Sequence, residues 1–300
     1  MSRIVVVLSA ILLASTGCTD VIPVVTEPVA PRLVVDAWIN NLDTTQTIRL
    51  TRSQPYFDAT PAAGVSGAQI TVVNENGLQM VFGDQGDGTY IWESDGQSIG
   101  DIGTSYILSI ELDGRTYGAT SQLRRVPPID SIHTEFREAE LGFPEGIYAE
   151  LFARDFAGRG DTYWIKTWKN GEYLNKGFEI NIAYDAGFDP GAQVDGVVFI
   201  PPIRELINRV PDPGSDAPDN FDVPPYAIGD SIYVEIHSIT PEAFAFMEIA
   251  RDQINNGANT IFAIPLANPQ GNVFDVETGE QLLGFFCVSA VSRQGKVIEE

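Results

Sequence analysis

The stretch Tyr106-Ile107-Leu108-Ser109-Ile110-Glu111-Leu112-Asp113-Gly114-Arg115-Thr116-Tyr117-Gly118-Ala119-Thr120 decides the fold class. An Asp-Gly pair supplies the positive φ angles of a tight hairpin turn, so the runs Tyr106 to Leu112 and Arg115 to Thr120 are antiparallel strands. The same grammar recurs upstream, where Ala68 to Val73 and Gly77 to Phe82 flank Asn74-Glu75-Asn76-Gly77. Leu33-Val34-Val35-Asp36-Ala37-Trp38-Ile39 reads as a strand, and Thr47-Ile48-Arg49-Leu50-Thr51-Arg52 alternates apolar and polar as a half-buried strand does. Short strands at regular intervals joined by such turns predict an antiparallel sandwich, which we place as an immunoglobulin-like domain over residues 32–125.

Val126-Pro127-Pro128-Ile129-Asp130 breaks the pattern, because proline donates nothing to a sheet ladder and restricts the residue before it. The spacing therefore predicts a second, β-rich domain over 126–300, with strands near 131–136, 147–153, 162–168, 177–184, 231–239 and 284–292. One helix is expected over about 241–256. Thr240-Pro241-Glu242 offers an N-cap, a first-turn proline and a first-turn acid, and Gly257 stops the run. Ala243, Phe246, Met247, Ala250 and Ile254 recur at helical spacing, which predicts one apolar stripe against a sheet. The segment 185–229, rich in Pro, Gly and Asp, reads as surface loops.

At the other end, Arg3 precedes the apolar run Ile4 to Ala14 and the small residues Ser15-Thr16-Gly17, then Cys18. That run is too short to cross a bilayer, so residues 1–17 read as a secretory signal. Gly17-Cys18 is the junction at which bacterial lipoproteins are acylated and cleaved, although Ser15 stands where Leu, Val or Ile is usual. Cys18 is therefore the expected lipidation site, palmitate or a similar chain joining a diacylglyceryl group, and two such signals suffice for stable anchoring. Residues 18–31 hold three prolines and no helical period, and read as an extended tether. With 18 basic and 41 acidic residues the formal charge is −23, which excludes nucleic acid and anionic lipid as partners recognised by charge. Hydrophobic content of 44% with 20% charged residues is that of a folded chain, so the acidity does not signal disorder.

Several of these features occur together and in order: the lipoprotein signal, Leu33 to Ile39, Val65-Ser66-Gly67-Ala68-Gln69-Ile70-Thr71-Val72, Gly88-Thr89-Tyr90, Tyr106 to Ile110, Val126 to Ile132, Gly229-Asp230 and Leu283-Gly284-Phe285-Phe286. In that order they resemble a family of Bacteroidota outer-membrane lipoproteins of unknown function (DUF4249-like), often encoded beside TonB-dependent receptors. The resemblance implies a lipid-anchored protein working beside a β-barrel transporter, and it implies no enzyme activity and no catalytic residues. A single acid, Asp20, follows Thr19, where surface-displayed lipoproteins of that phylum often carry several, so the residues assign no membrane face, periplasmic or cell-surface.

No motif selects a chemistry. His133 and His237 lie in separate expected strands, no Gly-x-Ser-x-Gly elbow is present, and no cofactor loop is recognisable, so neither catalytic nor metal-binding residues nor any cofactor are assigned. Asp84-Gln85-Gly86-Asp87-Gly88 and Asp212-Pro213-Gly214-Ser215-Asp216-Ala217-Pro218-Asp219-Asn220 gather oxygen ligands without the calcium-loop pattern, and Asp, Gly and Pro build turns on their own account. If Cys18 carries lipid, Cys287 has no intramolecular partner, and its apolar run makes it a small buried hydrophobe.

In Tyr163-Trp164-Ile165-Lys166-Thr167-Trp168, Trp164, Lys166 and Trp168 share one strand face while Tyr163, Ile165 and Thr167 share the other. A Trp-Lys-Trp face stacks on a sugar or a partner, or else lies in the core with the lysine at the rim. Large aromatics are mostly buried, so the core carries the weight. Trp164 and Trp168 are nonetheless the candidate ligand-binding residues. The leading expectation is a non-enzymatic binding or accessory lipoprotein of a TonB-dependent transporter. The alternatives are a surface glycan-active hydrolase, since paired carboxylates leave no signature, and a structural or adhesive surface protein.

Overall fold

The computed structural model describes residues 30–55, 58, 60–140, 143–209, 223–255 and 268–299. Cys18, Gly257 and the loop Asp212 to Asn220 lie outside the described residues. Among the described residues no helix is long and apolar enough to cross a membrane. The protein is mainly β, as the turn grammar predicts, with a single substantial helix among the described residues.

The first strands are β1 (Leu33–Asn40), β2 (Gln46–Arg52), β3 (Gln69–Asn74), β4 (Gln79–Asp84), β5 (Thr89–Trp92), β6 (Ser105–Leu112) and β7 (Arg115–Gln122). Asp113 and Gly114 both take positive φ, 51° and 75°, as the deciding stretch requires. The other hairpin differs. Only Gly77 has positive φ there, and the Asn74 side chain makes the turn instead, accepting hydrogen bonds from Asn76 and Leu78 N–H. Strand β4 pairs with β3 through Met80 and Phe82, then with β5 through Gly83 and Asp84, so the sheet doubles over at β4. Residues that alternate inward on both halves, such as Val35, Ile48, Val72 and Leu108, share one core.

The second region contains β8 (Ile129–Arg137), β9 (Gly146–Ala153), β10 (Thr162–Lys169), β11 (Glu172–Leu174), β12 (Asn181–Tyr184), β13 (Ser231–Ile239), α1 (Pro241–Ile254), β14 (Phe274–Asp275), β15 (Leu283–Ser289) and β16 (Val291–Val297). Strands β8 and β9 form a hairpin, while β11-β10-β13-β16 form a sheet with β12 also on β10. Strands β14 and β15, although late in the chain, join the first sheet in the order β14-β7-β6-β3-β4-β5-β2-β1-β15. Strand β15 lies parallel to β1, with Val35 opposite Gly284. That approach fits only glycine: Gly284 has φ of 91°, and a Cβ there would sit 1.9 Å from Val35 O. The strands of the stretch expected as a second domain over 126–300 are thus not all apart from the first sheet: β8–β13 and β16 lie outside it, and β14 and β15 belong to it. Val126, at the proline break, packs against both cores.

Four elements differ from expectation. The strand expected over 177–184 is a single 3-10 turn, Gly177–Glu179, followed by β12, and that expected over 284–292 is divided at Ala290 between β15 and β16. The segment after Tyr184 is not wholly superficial, because Phe199, Ile203 and Ile207 are fully buried and plug the core beneath β9 and β10. Helix α1 starts as expected, with Thr240 accepting from Ala243 N–H at 3.2 Å and Pro241 at the first position. Its buried face is rotated: Ala243, Phe244 and Met247 are buried, while Ile254 is exposed. The reason is where its partners lie. Phe244 meets Tyr184 edge-on at 5.7 Å, and with Phe285 and Cys287 of β15 it forms a third core joining the two regions.

Candidate functional site

Strand β10 decides the site because its two faces are unequal. Tyr163, Ile165 and Thr167 are buried in the second core, whereas Trp164, Lys166 and Trp168 are half-buried on the opposite face. Of that face, Trp164 packs against the third core, as the core expectation has it, while Trp168 is half-buried outside the three cores. With Tyr163 edge-on to Phe199 at 5.5 Å, the smaller-looking face already carries the aromatic that fills the core.

Cross-strand register places the neighbours. Opposite Trp164, Lys166 and Trp168 on β13 stand His237, Glu235 and Tyr233, and opposite Trp168 on β11 stands Tyr173. The two tryptophans have different surroundings. Trp164 meets Trp38 of β1 at 5.3 Å, and Trp38 stacks on Phe285 at 5.7 Å and reaches Phe246 of α1, so this end is part of the contact between the two regions. Trp168 instead stacks on Tyr173 at 4.9 Å and tilts against Tyr233 at 5.5 Å, at the far end of the strand. These three half-buried rings form an aromatic ledge.

Lys166 lies between the two ends, its Nζ 3.9 Å from the Trp164 ring centre. Such a contact contributes roughly 0.5–2 kcal/mol, depending on desolvation. Burial lowers the Lys166 ammonium to about 8, against the pull of Glu235 and Asp36. Beside it, Glu235 is bound by Tyr233 Oη–H at 3.1 Å and by His237 Nε2 at 2.8 Å. Burial acts to raise the Glu235 carboxyl, but the bonds from His237 and Tyr233 outweigh it, and the net shift is downward. His237 is held down at about 4, chiefly by burial, so at neutral pH it is an uncharged donor to Glu235. The result is a weakly held cation and a carboxylate between aromatic walls. Such a surface can stack on a ring or an apolar side chain while offering one charge of each sign.

Trp164 and Trp168 thus share a face, and Lys166 joins them, but their partners differ. Tyr173, Tyr233 and Glu235 were not singled out by the sequence; only strand register would have found them. Cys287 is buried and its thiol is pushed up by burial, as expected of an inert core cysteine. His133 is exposed on β8, away from His237 in sequence and sheet. The Asp84 loop is a turn: Asp84 accepts from Gly67 and Gly86 N–H, and Asp87 from Thr89 N–H.

Residues 19–295 match a family described as "Domain of unknown function (DUF4249)". No curated protein matches the chain closely enough to count as a relative.

Proposed function

The chain belongs to the DUF4249 family, and from that premise we propose that it is a non-enzymatic lipoprotein of the outer membrane, the accessory or binding component of a TonB-dependent transporter. The observation that carries the binding reading is the ledge of Trp168, Tyr173 and Tyr233 beside Lys166 and Glu235. Aromatic side chains left half-open on a rigid sheet are what interfaces use as anchors, because they bury much area for little lost side-chain freedom. The Cys18 thiol supplies the anchor, and the tether over 18–31 supplies reach, about 3.1 Å per residue when extended.

The test is purification of the native protein from its own membranes. The reading expects an acylated Cys18 as the first residue by intact mass and a β-barrel receptor recovered in stoichiometric amount. Cys18→Ala is expected in the soluble fraction. Cleavage elsewhere with no acyl mass would overturn the anchor, and glycan or peptide turnover abolished by changing one acidic residue would overturn the non-enzymatic reading.

A further inference from the structure

Away from the aromatic ledge, the ends of β9 and β12 and the loop after β12 bring together Asp155, Asp185 and Asp195, with one carboxylate oxygen of each within 4.8 Å of the others. They are 30 and 10 residues apart and belong to no loop motif. Asp155 is 3% and Asp185 1% exposed. Much of their hydrogen bonding is satisfied by the chain. Asp155 accepts from Tyr163 Oη–H at 2.6 Å and Gly196 N–H at 3.1 Å, and Asp195 accepts from Gly158 N–H at 3.0 Å. Asp185 Oδ1 accepts from Gly160 and Asp161 N–H, at 2.7 and 3.1 Å.

One oxygen stands apart. Asp185 Oδ2 is fully buried and has no hydrogen-bond partner. Among the described residues, no lysine or arginine forms an ion pair with any of the three; the nearby Arg125 is committed to Asp161, its Nε 3.0 and 3.1 Å from the two carboxylate oxygens. Buried carboxylates are ordinarily paired with a cation or coordinate a metal, and an orphaned buried acceptor is costly.

We propose that Asp155, Asp185 and Asp195 bind a calcium ion. Hard, all-oxygen donors select a hard cation, and Ca²⁺ accepts 6–8 oxygens at about 2.3–2.6 Å in flexible geometry. Oxygens on opposite sides of such an ion are about 5 Å apart, which agrees with the spread of these carboxylates. Mg²⁺ demands near-ideal octahedral geometry and gives up its water reluctantly, so it suits the site less. The ion fastens the loop that carries Asp195 and the core plug Phe199 to the ends of β9 and β12. Through Asp161, which donates its N–H to Asp185 and holds Arg125, it also braces the junction between the two regions.

The test uses the full mature chain, stripped with chelator and titrated with CaCl₂ or MgCl₂ by calorimetry and thermal melting. One Ca²⁺ per chain is expected, with the melting temperature rising by about 5 °C at a hundredfold excess over Kd, and a smaller response to Mg²⁺. Asp185→Asn and Asp195→Asn are each expected to weaken Ca²⁺ binding at least about tenfold. Asp195 is only half-buried, so its asparagine variant keeps the test valid if Asp185→Asn does not fold. Asp189→Asn, in the same loop but outside the cluster, is expected to bind as the wild type does. Absence of stoichiometric Ca²⁺ binding in the wild type, or wild-type binding by a folded Asp195→Asn, overturns the proposal. So does an equal response to both salts that survives Asp195→Asn.

Discussion

The two regions of this protein bury different chemistry. In and beside the first sheet the buried polar side chains among the described residues are Gln46, Asn74, Ser94, Thr104, Ser121 and Ser289, with Asp275 the one buried carboxylate. In the second region they include Glu150, Asp155, Asp161, Glu179, Asp185 and His237. Most of the first sheet alternates apolar-in and polar-out, as in β2, where Ile48 and Leu50 are buried and Thr47 and Arg49 exposed, whereas β15 is covered on both faces. Strands β10 and β13 are at least half-covered on both faces, so polar residues on them are drawn into cover. The difference teaches where to look. A sheet whose stability rests on apolar burial is a scaffold, and a sheet that spends stability on buried charge is where binding chemistry is concentrated.

The contrast predicts different failures. The largest effect belongs to the scaffold: Gly284→Ala forces a Cβ against Val35 O at a positive φ. We expect a loss of about 4 kcal/mol or more, read by urea unfolding, or no folded protein at all. A loss below about 1 kcal/mol would break the parallel β1–β15 pairing on which the first sheet rests.

Acid sensitivity belongs to the second region. His237 falls from 6.5 to about 4 on folding, so the unfolded chain binds the proton first. Stability is therefore complete above pH 6.5 and is lost as pH falls through that window to about 4, by about 3 kcal/mol from this group. Glu235, whose carboxyl is lowered, adds a loss of the same sign at the acid end. His237→Gln should flatten the curve, and hydrogen exchange at pH 5 should open β10 and β13 before β1–β7. Opening in the reverse order would undo the comparison.

How far the sequence could be read divides along the same line. Hairpin strands were legible because alternation and Asp-Gly turns are local signals. The β15 pairing was not, since its partner β1 is distant in sequence and Gly284 shows its need only beside Val35. On β10 both faces offered aromatics, so composition could not say that Tyr163 fills the second core while Trp164 packs on the third and Trp168 stays half-open. Likewise Asp155, Asp185 and Asp195 meet only because β9, β12 and a loop end at one place. Local chemistry was readable; convergence was not.

Smaller in effect is Lys166, whose ammonium is lowered from 10.5 to about 8 by burial. Charging it costs stability at pH 7, and that cost fades as pH rises from 8 to 10.5. Because Lys166 is partly exposed and faces Glu235, the expected gain for Lys166→Met is only about 1 kcal/mol at pH 7, vanishing near pH 10.5. Denaturant melts at the two pH values check this, and a pH-independent difference would show that packing, not charge, governs the position.

Trp168→Ala should act little on stability, by about 1 kcal/mol or less for a half-open ring stacked on Tyr173, and most on binding. The most direct test of the binding account is therefore recovery of the β-barrel receptor by the native lipidated protein, wild type against Trp168→Ala, at equal folded amounts. The account predicts stoichiometric recovery with the wild type and at least a tenfold drop with the variant. Equal recovery by both, or a folded wild type that recovers no receptor, would contradict it.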